Sequence, residues 1–130
     1  MEKYTPIGRY IVGDKGYVNI AGGNVTSKYV AIHNVSTVSD EISVYMTSGT
    51  VQSMELNSIY NTSSGQISIL GGTVKQEGAN TTIFNNGSGS IYIQDSDNNT
   101  ENGPTIIHTA TGGNAITNHS TGHINVNGGT

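Results

Sequence analysis

A repeat of about 24 residues runs through most of the chain and limits the possible folds more than any other feature. Three segments share one spacing: an Ile-x-Asn triplet, a glycine four residues after the asparagine, and an apolar-x-apolar pair that begins two residues after the glycine. Their triplets start at Ile59, Ile83 and Ile116. A fourth triplet starts at Ile32 and reaches an apolar pair at Ile42 after two additional residues. Internal periodicity of this length is typical of repeat architectures.

A glycine-rich motif follows the apolar pairs and marks the end of a copy of the repeat. It reads Gly-Gly-Asn at 22–24, Ser-Gly-Thr at 48–50 and Gly-Gly-Thr at 71–73 and 128–130. The second apolar residues of the pairs are separated by 24, 25, 24 and 33 residues, so about nine residues are inserted near 94–105, where the glycine motif is missing. These second apolar residues are predicted to stack as one core column: Ile20, Val44, Ile69, Ile93 and Val126.

Short strands are the secondary structure that this repeat favours. Its apolar residues are mostly β-branched and alternate with polar ones, and no window has the i, i+3, i+4, i+7 spacing of an amphipathic helix. One copy cannot cover its own apolar side chains, but copies that stack at the β-sheet spacing of roughly 4.8 Å bury them in columns. The sequence therefore predicts an all-β fold, a single-stranded parallel β-helix or β-solenoid of about five coils.

The first residues differ from the repeat. In the segment RYIVGDKGYVNI, two β-like runs flank the residues Gly-Asp-Lys-Gly at 13–16, which is the pattern of a hairpin. We expect residues 1–16 to form an N-terminal strand, hairpin or cap, and residues 17–130 to form the solenoid with its inserted loop.

Two further columns follow from the triplets. Stacked asparagines can hydrogen-bond through their side-chain amides, and asparagine tolerates the backbone of a tight turn. The predicted Asn ladder contains Asn34, Asn61, Asn85 and Asn118. The middle residues of the triplets should face outward, and they give an exposed stripe of His33, Tyr60 and Phe84, followed by Thr117. Such a stripe either docks sugar rings or a neighbouring fibre, or stacks on itself.

Composition narrows the classes of partner. Only 11% of residues are charged and the net charge is −4, while Asn, Thr and Ser fill 45 of the 130 positions. The five Lys and Arg residues form no basic stripe, which argues against nucleic acid and anionic membranes. There is no cysteine for disulfides or thiolate ligands. No apolar run could span a membrane, and the first residues, MEKYTPIGRY, lack the apolar region of a signal peptide.

Few residues suggest chemistry. The segment 94–103 is the densest group of oxygen ligands, of which calcium takes six to eight. It contains the weak calcium candidates Asp95, Asp97, Asn99 and Glu101. Because it departs from an EF-hand loop, a solvated loop is the favoured interpretation. His119 and His123 lack a third ligand for zinc. Since no column pairs two carboxylates and no Gly-x-Ser-x-Gly motif occurs, we expect no enzyme activity, metal or cofactor.

The segments SIYNTSSGQISILGGTV at 58–74 and AITNHSTGHINVNGGT at 115–130 resemble the degenerate repeats of a known group of proteins. These repeats form right-handed parallel β-helix regions in large secreted or surface proteins of Gram-positive anaerobes, often described as adhesin-like. The resemblance covers residues 17–130. It implies a β-helix fold and an extracellular or cell-surface location, and it brings no catalytic motif.

The printed sequence stops within a copy of the repeat, at INVNGGT. Either it belongs to a longer repeat protein, or the last coil stacks on the first coil of another copy and builds a head-to-tail filament. The predicted contact residues are Val18, Ile20, Ile124 and Val126, with the strand Ile11/Val12 as a further candidate. We therefore expect a non-catalytic structural β-solenoid that assembles into, or forms part of, an extracellular fibre or surface stalk. The alternative is a glycan- or receptor-binding adhesin or phage-fibre segment that uses the stripe.

Overall fold

A computed structural model describes residues 10–13, 16–38, 41–95 and 103–130. Within these ranges the chain forms twelve strands and no helix, and so no helix that could cross a membrane. The strands are β1 (Tyr10–Val12), β2 (Val18–Ser27), β3 (Ile32–Asn34), β4 (Ile42–Ser53), β5 (Ile59–Asn61), β6 (Gln66–Ile69), β7 (Thr73–Gln76), β8 (Ile83–Asn85), β9 (Ile91–Gln94), β10 (Thr105–His108), β11 (Ile116–Asn118) and β12 (Ile124–Asn127).

All described strand pairs are parallel, and they form two sheets. The first sheet has five strands in the order β1-β3-β5-β8-β11. The second has seven, in the order β10-β7-β4-β6-β9-β12, with β2 paired to β4. The expectation of an all-β chain with parallel strands is confirmed. In each sheet a strand pairs with the equivalent strand of the next copy of the repeat, as the register Ile59↔Ile83 and Ile67↔Ile91 illustrates.

Glycine is required where the chain turns between β6 and β7 and in the middle of β4. Gly49 has a φ of 93° and Gly72 a φ of 83°, which is the left-handed region that L side chains rarely adopt. The two residues also lie close to each other, because a Cβ added to Gly72 would lie 2.7 Å from the carbonyl oxygen of Gly49. The repeated glycine motif thus serves both the turn and the close stacking of two turns.

The core lies between the sheets and consists of columns of apolar side chains in register. Most of its members are isoleucine and valine with 0–5% exposure, and the columns run through successive copies of the repeat. Three columns of the second sheet are Val18-Val44-Ile67-Ile91-Ile124, Ile20-Met46-Ile69-Ile93-Val126 and Val25-Val51-Val74-Ile106. In the first sheet, Ile32, Ile59 and Ile83 form a buried column, which the half-buried Ile116 extends.

One member of the predicted core column is wrong. Val44 pairs with Ile67, whereas Met46 pairs with Ile69 and so occupies the position predicted for Val44. Val44 follows its ladder asparagine by ten residues and Ile67 follows its own by six, so four residues are inserted in this copy rather than two. A β-bulge between Ile42 and Val44 takes up part of the difference and leaves Ile42 40% exposed.

The predicted N-terminal hairpin is also not what the structure has. β1 pairs in parallel with β3, and β2 pairs in parallel with β4, so the two runs around residues 13–16 belong to different sheets. Between the two runs, the Gly16 N–H donates a hydrogen bond to the Gly13 carbonyl oxygen at 2.8 Å. Each run continues the parallel register of its own sheet, and because the two sheets are different, β1 and β2 are not paired as the arms of a hairpin.

Candidate functional site

The four predicted ladder asparagines form a continuous hydrogen-bonded column along the first sheet. Each amide nitrogen donates to the side-chain oxygen of the next asparagine: Asn34 to Asn61 at 3.1 Å, Asn61 to Asn85 at 2.8 Å and Asn85 to Asn118 at 3.0 Å. The first three side chains are fully buried, and Asn118 is exposed. Buried amides are costly unless they are paired, so each ladder bond offsets the cost of burying the two amides that it joins.

In the last two copies, the glycine four residues after the asparagine accepts a second bond from the ladder, whereas Asn61 donates its second bond to the carbonyl oxygen of Ser63 at 3.3 Å. The amide nitrogen of Asn85 donates to the carbonyl oxygen of Gly89 at 3.2 Å, and that of Asn118 donates to Gly122 at 2.7 Å. These turns stack so closely that a Cβ on Gly89 would overlap the carbonyl oxygen of Gly65. The constant spacing of asparagine and glycine in the repeat therefore produces one structural unit, a turn that stacks on the next turn and is stabilised by asparagine side-chain hydrogen bonds.

The outward triplet residues form a column of rings. The centroids of His33 and Tyr60 are 5.0 Å apart with nearly parallel planes, and those of Tyr60 and Phe84 are 5.7 Å apart with planes inclined by 68°. These three side chains are half-buried. The next ring is His119, 6.0 Å from Phe84, although Thr117 is the residue in register with Phe84. The two-residue alternation of an extended chain, which puts 117 and 119 on one side, is the signal that could have found His119.

Only one of the four calcium candidates lies in the described ranges. Asp97, Asn99 and Glu101 fall outside them. The carboxyl of Asp95 lies against Gly103 and Gly128, where an added Cβ would overlap it, and its Oδ1 is buried without a hydrogen-bond partner among described residues. The described part of the chain holds no group of three or more His, Asp or Glu side chains that could bind a metal ion.

The sequence analysis did not identify the buried polar side chains that lie at the end of β4, in the segment after it, and at the end of β7. Ser53 Oγ donates to the carbonyl oxygen of Tyr29, and Ser58 Oγ donates to that of Lys75. Gln76 is fully buried and its Nε2 donates to the carbonyl oxygen of Leu56 at 2.9 Å. Serine and glutamine are mostly surface residues, so the sequence contains no signal that would single these out.

The two ends of the stack leave strand edges open. Among described residues, β1 and β2 pair on one side only, as do β11 and β12 at the other end. Beside β2 lies an open cavity of about 230 Å³ whose lining includes Val18, Ile20 and Val25. Beside β12 lies one of about 190 Å³ whose lining includes Ile106 and Val126. Val126 is 58% exposed. The predicted contact residues therefore lie at opposite ends, Val18 and Ile20 at one and Ile124 and Val126 at the other.

Comparisons of this chain with protein-family models, with curated proteins and with solved structures found no match. The features that bear on function are therefore the repeat itself, the amide ladder, the ring column and the two open ends.

Proposed function

We propose that this chain is a β-solenoid of about five coils, one for each copy of the repeat, and that its function is structural rather than catalytic. It would extend by stacking further parallel strands on its open edges, and so build or belong to an extracellular fibre or cell-surface stalk. The parallel register from one copy of the repeat to the next, in both sheets, supports the solenoid. The resemblance to adhesin-like repeats of Gram-positive anaerobes supports the extracellular location.

The observation that carries the proposal is that the two open ends match each other. One end offers the edge of β2 with Val18 and Ile20, and the other offers the edge of β12 with Ile124 and Val126. These pairs are the first and last members of the same two core columns, so an end-to-end contact would repeat the internal register. Unpaired backbone edges recruit further strands, and a contact between two different ends does not close on itself.

Little electrostatic repulsion opposes such a contact. The net charge is −4, and the described chain contains one ion pair, an exposed one between Lys28 and Glu55 at 3.8 Å. The residues beside the end columns, Asn19 and Asn125, are neutral amides. Charged edge residues are a common device against edge-to-edge pairing, and these edges lack them.

The test is to block one end with charge. Changing Ile124 and Val126 together to lysine should abolish filaments, because two ammonium groups would have to be desolvated in the contact. The matched control places two lysines away from the ends, at Met54 and Leu56, which are each 40% exposed. Parent and variants are compared at equal concentration by size-exclusion chromatography and negative-stain electron microscopy, with circular dichroism to verify folding.

We expect polymers from the parent and from the control, and monomers from the blocked variant. If all three proteins form filaments, the contact between copies does not involve Ile124 and Val126. A parent that stays monomeric at millimolar concentration would refute self-assembly and leave the interpretation that these strands continue into further repeats of a longer protein.

A second candidate function is binding of a glycan or receptor, as an adhesin or phage-fibre segment, through the ring column. The observation that favours it is the ring column itself: the rings of His33, Tyr60 and Phe84 follow one another at 5.0 and 5.7 Å, and each side chain is only half-buried. A row of partly exposed aromatic rings is an apolar surface on which a sugar ring can stack. Loss of glycan-array binding in Phe84→Ala, with an unchanged oligomeric state, would support this function; a parent that binds no glycan would exclude glycan docking.

A further inference from the structure

The amide ladder has a direction. Each of the first three asparagines donates its Nδ2 to the Oδ1 of the asparagine in the next copy of the repeat, from Asn34 towards Asn118. At the far end, Asn118 donates one N–H to the carbonyl oxygen of Gly122 and has no further asparagine beyond it among described residues. At the near end, the Oδ1 of Asn34 accepts from the N–H of Ser36. The end with Asn118 therefore offers an amide donor, and a partner strand must supply an acceptor there.

The strand pairing of the first sheet extends one strand further than the ladder. β1 pairs with β3 in the register Tyr10↔Ile32 and Val12↔Asn34. Position 12 is thus the ladder position of the first strand, and it is occupied by valine, which has neither an amide donor nor an acceptor in its side chain. The backbone column contains five positions, of which four carry the amide.

A head-to-tail contact in the internal register brings these two ends together. With β11 of one copy paired to β1 of another, Asn118 lies opposite Val12, in the way that Asn85 lies opposite Asn118 within one copy. The free N–H of Asn118 would then be paired, by register, with a position whose residue type has no side-chain acceptor. A buried donor without a partner weakens a contact by the cost of its desolvation.

We propose that position 12 sets the strength of the head-to-tail contact between two copies, because Val12 interrupts there the amide ladder that joins the internal copies of the repeat. This rests on the end-to-end assembly proposed above. The consequence is that the junction between two copies is weaker than any interface inside a copy, so that a filament breaks at its junctions. An incoming strand with asparagine at this position would bind the Asn118 end more tightly than the chain's own first strand does.

Four proteins test the inference, because the junction pairs residue 118 of one copy with residue 12 of another. The parent has the mismatched pair Asn and Val. Val12→Asn gives two amides and Asn118→Val gives two apolar side chains, so both variants should associate more tightly. The double variant restores a mismatch with the two residues exchanged and should return to the parent's association. The measurement is the critical concentration for polymerisation, from sedimentation of concentration series, with circular dichroism as the check of folding.

We expect each single variant to lower the critical concentration by about fivefold, the factor that corresponds to one net hydrogen bond of about 1 kcal/mol. Because the two single variants act from opposite ends, a folding failure in one leaves the other as a test. If all four proteins form filaments at the same critical concentration, the role of position 12 is refuted and end-to-end assembly is not. Equal gains in the single variants that add in the double variant would also overturn it, since matched pairing requires cancellation. If no protein of the four associates, end-to-end assembly is refuted, and the inference about position 12 is refuted with it.

Discussion

Replacing Asn61 with alanine tests the amide ladder at a fully buried position with a ladder partner on each side. The side chain of Asn61 is fully buried and takes part in four hydrogen bonds: with Asn34 at 3.1 Å, with Asn85 at 2.8 Å, and with the carbonyl oxygen and the N–H of Ser63 at 3.3 and 3.4 Å. Alanine removes all four and leaves the Oδ1 of Asn85 without its ladder donor.

The magnitude follows from these contacts. The two ladder bonds contribute about 1 kcal/mol each, and a buried acceptor left without a donor costs about a further 1 kcal/mol. The two bonds to Ser63 are long, and we assign them nothing. The free energy of unfolding should therefore fall by about 3 kcal/mol, which is a large part of the 5–15 kcal/mol typical of a folded domain. The midpoint of thermal unfolding should fall by about 10 °C.

The assay is urea and thermal unfolding followed by circular dichroism, with Asn86→Ala as the matched control. Asn86 lies in the next copy of the repeat, is exposed, and its side chain makes no hydrogen bond within the described ranges. We expect the control to stay within about 0.5 kcal/mol of the parent, as surface substitutions usually do. Equal midpoints for the parent and Asn61→Ala would refute the reasoning, because they would mean that water satisfies these amides as well as the ladder does.

Three other outcomes are expected from the packing. Ile69→Asp should prevent folding, since Ile69 is fully buried and an unpaired carboxylate there costs several kcal/mol, whereas Ile42→Asp at a 40% exposed position should leave the circular dichroism spectrum unchanged. Gly72→Ala should cost about 2–3 kcal/mol in urea unfolding, because of the positive φ and the nearby Gly49 carbonyl, while Gly13→Ala meets no atom within 4 Å and should be neutral. Deleting residues 96–102 should shift the thermal midpoint little, and millimolar calcium should not raise it in the parent; a rise of several degrees with calcium would show a site that binds only the native state.

Much of the architecture follows from the sequence alone, because the repeat is a local pattern with one physical solution. Each copy carries isoleucines that only another copy can cover, and it carries an asparagine and a glycine at a constant spacing from them. Stacking in register satisfies the side chains and the backbone at once, so the parallel all-β arrangement and the order of the asparagines could be derived from spacing. The composition further indicates that the surface carries few charged side chains.

The tertiary structure decided the details that depend on which segments pair and pack with each other. Met46 takes the column position expected for Val44 because four residues are inserted in this copy and the bulge takes up only part of them, and the length of an insertion does not say where it is absorbed. His119 enters the ring column because its side chain reaches Phe84 from outside its strand. β1 joins the first sheet and β2 the second, because each continues the parallel register of its own sheet, and so they do not pair with each other. Local sequence patterns determine what a segment can pair with, and only the packed structure determines which partner it has.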